Sequence, residues 1–220
     1  MDKNIRQINI HDDLETSNDF LKHTSIAEQS DTNINRINFQ DLQLEDEQFI
    51  EQSFHTVIFE NCTFENVSFN DCSFINILFQ DSTFINCDFS RSWFSQCKML
   101  NSQYRNAVFS NGKFSHLFIE GCGLNYANFT FSKIENCEII KSDFSESFLS
   151  DCELKNFNVE NSKFYGTDFF HTALKGIDFS SCDIDGICVS DDWNELRGII
   201  VNTFQAAELS KHLGIVVKAD

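Results

Sequence analysis

Nine cysteines, six histidines and 34 carboxylates are the groups in this 220-residue chain that could ligate a metal, attack a carbonyl or move a proton. Their spacing argues against all three. His11, His23, His55, His116, His171 and His212 are scattered without ligand spacing, no Cys-x-x-Cys pair occurs, and neither a glycine-rich phosphate loop nor a nucleophile motif is present. The expectation is a protein that is not an enzyme and needs no cofactor. What remains is charge. Thirty-four acids against 16 Lys and Arg give −18, a balance that repels nucleic acid and anionic membrane and attracts a basic surface. There is no apolar run of 18 residues and no apolar segment in the first 30, so a cytoplasmic location is expected.

The elements that carry this charge are legible from an unusual composition of 25 Phe and no Pro. Counting in fives from Ile34, through Phe39, Leu44, Phe49 and Phe54, every step to Val189 lands on an apolar residue, 32 in all and 18 of them Phe. Neither a strand, with period 2, nor a helix, with period 3.6, keeps a strict period of five on one buried side for so long. A β-solenoid does. Two residues before each of these positions lies a second inward ruler of mostly small residues, among them Cys62, Cys72, Cys87, Cys97, Cys122, Cys137, Cys152 and Cys182. These eight read as core fillers, and Cys188 alone falls off the ruler. Two residues after each central position Asn, Asp and Gly dominate, as at Asn61, Asn66, Asp71 and Gly166, which marks a corner in every pentapeptide.

The bulky exceptions on the small ruler set the size of one lap. Ile37, Ile77, Leu117, Phe157 and Ile177 differ by multiples of 20, so twenty residues and four faces complete one turn. Residues 32–190 then form about eight coils, a rod of roughly 38 Å at the usual inter-strand spacing. Residues 1–31 read as a polar N-terminal cap or disordered tail, with a helix conceivable around Asp19–Glu28, and 191–220 as a separate C-terminal module.

The pentapeptides Cys62-Thr63-Phe64-Glu65-Asn66 and Ala127-Asn128-Phe129-Thr130-Phe131 resemble the pentapeptide-repeat family. That resemblance implies an all-β fold, a right-handed quadrilateral β-helix. The tail, from Leu196-Arg197-Gly198-Ile199-Ile200-Val201 to Gln205 through Val217, is similar to the C-terminal module of the Qnr and MfpA-type quinolone-resistance proteins. There a short helix caps the solenoid and pairs two subunits tail to tail, which makes Phe204, Leu209, Leu213, Ile215 and Val217 the dimerisation candidates. Locally, Asn202 or Thr203 can cap a helix from about Phe204 and Gly214 can end it. Unlike the plasmid-type Qnr proteins, whose repeats are interrupted by loops, this register is unbroken.

The same resemblance implies binding to DNA gyrase and topoisomerase IV through a surface shaped and charged like duplex DNA, protecting the enzyme from fluoroquinolones. The charge needed is present. Residues 31–190 hold 23 acids and 10 bases, and sorting them by the 20-residue phase makes the distribution lopsided. The wall centred on Ile34, Phe54 and Phe74 carries only Glu135 and Glu153 against Arg36, Lys113, Lys133, Lys155 and Lys175. The walls after Phe39 and Leu44 hold seven acids each against two bases each. Asp41, Glu45, Asp46, Glu60, Glu65, Asp71, Asp81, Asp88 and Glu120 are the topoisomerase-binding candidates. The rival reading of these acids is a solvated face on a structural or scaffolding solenoid that binds an unrelated partner, acidity serving solubility.

Overall fold

The computed structural model describes residues 14–212 and 214–218. A backbone that turns a corner every fifth residue needs a conformation that bends sharply without ending the strand, and the chain uses the left-handed region to do it. Asp41, Asp46, Glu51, Thr56, Asn61 and Asn66 begin a series of corner residues at five-residue intervals with φ between 54° and 58°. The series runs on through Asn156, Asn161 and His171, with Gly121, Gly166, Gly176 and Gly186 taking their turns. Asn and Asp tolerate this region best among residues with a side chain, so their excess two places after each central residue has a direct steric cause. The corners read from the sequence are therefore the corners seen.

Between corners the chain is extended. In order, the elements are β1 (Glu15–Ser17), α1 (Phe20–Ser30), β2 (Ile34–Gln40), β3 (Gln43–Glu45), β4 (Ser53–Glu60), β5 (Thr63–Glu65), β6 (Ser73–Gln80) and β7 (Thr83–Ile85). There follow β8 (Trp93–Leu100), β9 (Lys113–Glu120), β10 (Lys133–Ile140), β11 (Glu153–Glu160), a 3₁₀ turn at Asn194–Leu196 and α2 (Thr203–His212). Strands β1-β2-β4-β6-β8-β9-β10-β11 make one parallel sheet and β3-β5-β7 another. Registers such as Phe54↔Phe74, Phe94↔Phe114 and Ile134↔Leu154 step by twenty from β2 to β11, whereas β1 pairs with β2 at twenty-two, as in Glu15↔Ile37. Twenty residues and four corners per lap is the geometry expected from Ile37, Ile77 and Leu117.

The number of laps differs slightly from the expectation of about eight. Seven carry a long strand, β2 through β11 in the large sheet. The last pass, from about residue 172, is held by isolated bridges such as Lys163↔Asp183 and Asp168↔Cys188. Its far side is covered by the segment that follows the repeat. Leu174 and Gly176 donate their N–H groups to the carbonyls of Glu195 and Gly198, and Phe179 to that of Ile200. A terminal lap with no repeat beyond it has to find its backbone partners in irregular chain.

Inside, the ruler residues stack in columns. Phe54, Phe74, Phe94 and Phe114 lie face to face at 5.1, 4.7 and 5.0 Å, and Phe69, Phe89, Phe109 and Phe129 at 5.1, 5.0 and 4.7 Å. Rings of neighbouring columns meet edge-on, as Phe64 with Phe69 at 70°, so each ring has both favourable aromatic geometries. The N-terminal end is plugged. Of the two readings for 1–31, a helix is what the structure shows over Phe20–Ser30, with Asp19 accepting from the Lys22 N–H at its start. Its Phe20 is 1% exposed and lies over Phe39, Phe49 and Phe54 at 4.9, 4.8 and 6.0 Å.

The small inward ruler does more than save space. At three of the four inner columns its hydroxyls satisfy backbone groups of the preceding lap: Ser82 Oγ accepts from Cys62 N and donates to Phe59 O, Thr167 Oγ1 donates to Phe144 O, and Ser92 Oγ accepts from Cys72 N at 2.9 Å and donates to Phe69 O at 2.8 Å. Ser132 does the same for Gly112 N and Phe109 O, and Thr172 for Cys152 N and Leu149 O. The column of Ile37, Val57, Ile77 and Leu117 lies where the long strands complete the ladder and stays apolar.

Eight cysteines are buried and Cys188 is exposed. Burial pushes the thiols of Cys72, Cys87, Cys97 and Cys122 up to about 12 and those of Cys62 and Cys152 up to about 11.

The core carries three measurable consequences. Phe20→Ala should destabilise the chain by about 3–5 kcal/mol, and amide exchange should accelerate first in β1 and β2. Thr172→Val, which keeps the shape but removes the hydroxyl that serves Cys152 N and Leu149 O, should cost about 1–3 kcal/mol in denaturant unfolding. The raised thiols hold their protons to a higher pH in the folded state than in the unfolded one, so stability is intact below the ordinary thiol value of about 9 and falls as pH rises from there towards 12. A thiol reagent at pH 8 should accordingly titrate one cysteine in the native protein and nine after denaturation.

Candidate interaction surface

The lap geometry assigns every outward residue to one of four faces, centred on the columns of Phe54, Phe59, Phe64 and Phe69. The first face carries the cations. Its two acids are neutralised across adjacent laps, Lys133 to Glu153 at 2.8 Å and Lys155 to Glu135 at 3.9 Å.

The second and third faces behave differently. Glu60 and Glu120 lie half-buried on the second face, and Asp41 and Asp81 stand exposed at the corner it shares with the third. Their partners include amides. Gln40 Nε2 and Asn38 Nδ2 donate to Glu60 Oε2 at 2.6 and 3.2 Å, Asn61 Nδ2 to Asp41 Oδ1 at 2.5 Å, and Gln80 Nε2 to Asp81 Oδ2 at 3.1 Å. Glu45 and Glu65 are paired in register on the third face, two like charges one lap apart. Asp46, at the corner between the third and fourth faces, starts an amide ladder in which Asn66, Asn86 and Asn106 each donate to the lap before at 3.1, 3.1 and 3.0 Å. Amide donors fix carboxylates in place and leave their charge undiminished.

Two of the nine candidates stand apart from this strip. Asp88 is half-buried on the fourth face and accepts from its own turn, at Ser90 N. Asp71, at the corner of the fourth and first faces, is clasped by Arg91 at 2.7–3.1 Å, and that guanidinium holds its carboxyl below the usual range. The structure thus gathers Asp41, Glu45, Asp46, Glu60, Glu65, Asp81 and Glu120 along adjoining faces and separates Asp71 and Asp88 from them.

At the C-terminal end α2 begins with a reciprocal cap: Asn202 Oδ1 accepts from Gln205 N, and Gln205 Oε1 accepts from Asn202 N, at 3.0 and 2.8 Å. The same Gln205 amide donates to the carbonyls of Phe179 and Cys182 and so bolts the helix to the last lap. Gly214 closes it at φ +73°, donating to Lys211 O. Of the dimerisation candidates, Phe204 is 84% exposed and Ile215 and Val217 are exposed beside Val216. Leu209 takes the other role open to these residues, covering the last lap: it packs, partly buried, against the core of its own chain. Leu213 lies outside the described residues.

The reading from sequence missed a set of exposed rings: Tyr126, Phe131, Phe148, Tyr165 and Phe170. Each falls off the five-residue ruler, and that was the available signal. Among the described residues no helix is long and apolar enough to cross a membrane, and no group of three or more His, Cys, Asp or Glu is arranged to hold a metal ion.

The family model described as "Pentapeptide repeat region" matches residues 52–129. No curated protein matches. Among solved structures, a trypsin-treated form of QnrB1, described as a plasmid-mediated fluoroquinolone resistance protein, is 17% identical with a TM-score of 0.44, covering 82% of this chain and 100% of its own. HetL, a pentapeptide repeat protein involved in heterocyst differentiation regulation from the cyanobacterium Nostoc, is 10% identical with a TM-score of 0.28, covering 84% and 97%. A pentapeptide repeat protein from the Arabidopsis thaliana thylakoid lumen is 19% identical with a TM-score of 0.38, covering 60% and 87%. With its twenty-residue laps and left-handed corners this chain is folded as a parallel β-solenoid, and within it residues 52–129 match the pentapeptide-repeat family model.

Proposed function

We propose that this solenoid binds a type II topoisomerase, DNA gyrase or topoisomerase IV, in place of duplex DNA and thereby relieves fluoroquinolone poisoning. It acts by shape and field, with no chemical step. The observation that carries the reading is the stretch from Ile37 to Ser90, which holds ten acids and no Lys or Arg, with six of those acids along two adjoining faces and four of the six, Asp41, Asp46, Glu60 and Asp81, backed by neutral amides. Net −13 over residues 31–190 amounts to about one charge per 3 Å of rod, against one per about 1.7 Å of B-DNA, a sparser field of the same sign. The exposed Phe204, Ile215, Val216 and Val217 at the opposite end support a homodimer joined through the C-termini, which doubles the length of the rod.

Glu60, Asp81 and Glu120 lie within about 15 Å of one another along the axis. Changing all three to Lys should abolish protection of gyrase supercoiling against ciprofloxacin while leaving the unfolding midpoint within a few degrees of the parent. Retained protection would show that these carboxylates do not carry the contact, and no protection by the parent chain would point instead to an unrelated partner and an acidity that serves solubility. Phe204→Asp combined with Val216→Asp should convert a dimer to the 25.4 kDa of a single chain in sedimentation equilibrium. An unchanged mass would remove the tail-to-tail pairing.

A further inference from the structure

The fourth face changes character along the rod. Over its C-terminal half it presents Phe148 and Phe170, with Tyr126 and Phe131 at its two corners and Tyr165 on the adjoining third face, each at least 41% exposed, on a molecule whose ruler aromatics are nearly all inside. Contiguous exposed rings on a soluble surface mark a contact site. Four of them have a carboxylate at the equivalent place one lap on: Tyr126 has Glu146, Phe131 has Asp151, Phe148 has Asp168 and Tyr165 has Asp185. The backbone fixes this register, since Phe148 bridges to Asp168, Glu146 N donates to Tyr165 O, and Asp151 N to Phe170 O. Glu146 leans over Gly166, where an added Cβ would lie 3.0 Å from its carboxylate. Asp168 is held by Ser150 Oγ at 2.7 Å and Phe170 N at 2.9 Å, neutral donors that leave its charge in place, and Asp151 accepts from or pairs with His171 Nδ1 at 3.0 Å.

We infer that this half of the fourth face is a docking surface for an arginine-bearing segment of a partner protein. A ring with a carboxylate about 5 Å away is the environment that a guanidinium satisfies twice, by stacking on the π face and by a charge-assisted hydrogen bond to the oxygens. Basic side chains around the rings are committed to carboxylates: His171, whose ring lies 3.9 Å from that of Phe170, to Asp151, Lys163 beside Tyr165 to Asp143 at 4.0 Å, and Arg91, nearer the N-terminal end of the rod, to Asp71. The patch is therefore acidic as well as aromatic, and a second copy laid face to face would bring like charges together. The inference is independent of the topoisomerase reading, because the rings lie in the C-terminal half of the rod: Tyr126 and Tyr165 stand in the columns of Asp46 and of Glu45 and Glu65 but four or more laps further along.

The test uses fluorescence anisotropy of two labelled ten-residue peptides of equal charge, one alternating Arg and Gly and one alternating Lys and Gly, against the full chain. The Arg peptide should bind about five-fold or more tighter than the Lys peptide, since a purely Coulombic surface does not distinguish them. Changing Phe131, Phe148 and Phe170 to Ser, or in a second variant Tyr126 and Tyr165 to Ser, should weaken the Arg peptide about ten-fold. Changing Glu45 and Glu65 to Gln, on the third face, should alter it by less than about two-fold. Equal affinity for the two peptides, no binding to the parent chain, or ring variants that bind as the parent does would each overturn the assignment. Far-UV circular dichroism reports whether each variant keeps its solenoid, and either ring variant alone is enough to decide the outcome.

Discussion

A left-handed residue at every fifth position is the constraint on which the rest of this molecule depends. It sets the length of each side, and four sides close into a lap of twenty. Closure then places each ruler side chain directly above its counterpart, so that one short sequence rule generates stacked rings inside and aligned columns outside. Backbone hydrogen bonds run between laps, which leaves each corner residue's strain distributed over two neighbouring ladders. The arrangement works with few glycines because Asn and Asp occupy most corners, and because the ladder on either side holds Thr56, Gln96 and His116 in the same conformation.

The surface follows from the same rule. Identical positions on successive laps are about 5 Å apart, close enough that any residue type repeated every twenty becomes a continuous line. Carboxylates repeated at Glu45 and Glu65 repel, and amides at Asn66, Asn86 and Asn106 bond in a chain. Cations and anions alternating at Lys133 and Glu153 neutralise one another. A solenoid thus writes a different chemistry on each side with no change to its interior, and the faces can serve separate partners.

Much of this was legible in the sequence because the period of five is incompatible with ordinary helices and strands. The lap length followed from Ile37, Ile77 and Leu117, the corners from the Asn and Asp excess, and the exposure of Cys188 from its absence from the ruler. The hydroxyl bridges of Ser92, Ser132 and Thr172 were hidden, because smallness alone explains a serine on an inner ruler and only the lap-to-lap geometry reveals the backbone groups beside it. The grouping of seven acids and the isolation of Asp71 and Asp88 likewise depended on knowing which corner each residue occupies and which cation reaches it. Which of the apolar tail residues cover the last lap was open in the sequence, and Leu209 does so because Gln205 and two carbonyls of that lap fix how α2 docks.

Because each lap bonds only to the laps above and below, the molecule's length is quantised. Duplicating or excising any twenty consecutive residues from the middle of the repeat restores every column in phase and rotates no side relative to another. Such a change lengthens or shortens the rod by one increment and slides whatever lies at its two ends together or apart. Removing five, ten or fifteen residues would instead turn one end by a quarter, a half or three quarters of a revolution against the other, reassigning which partner-facing side is continuous from tip to tip.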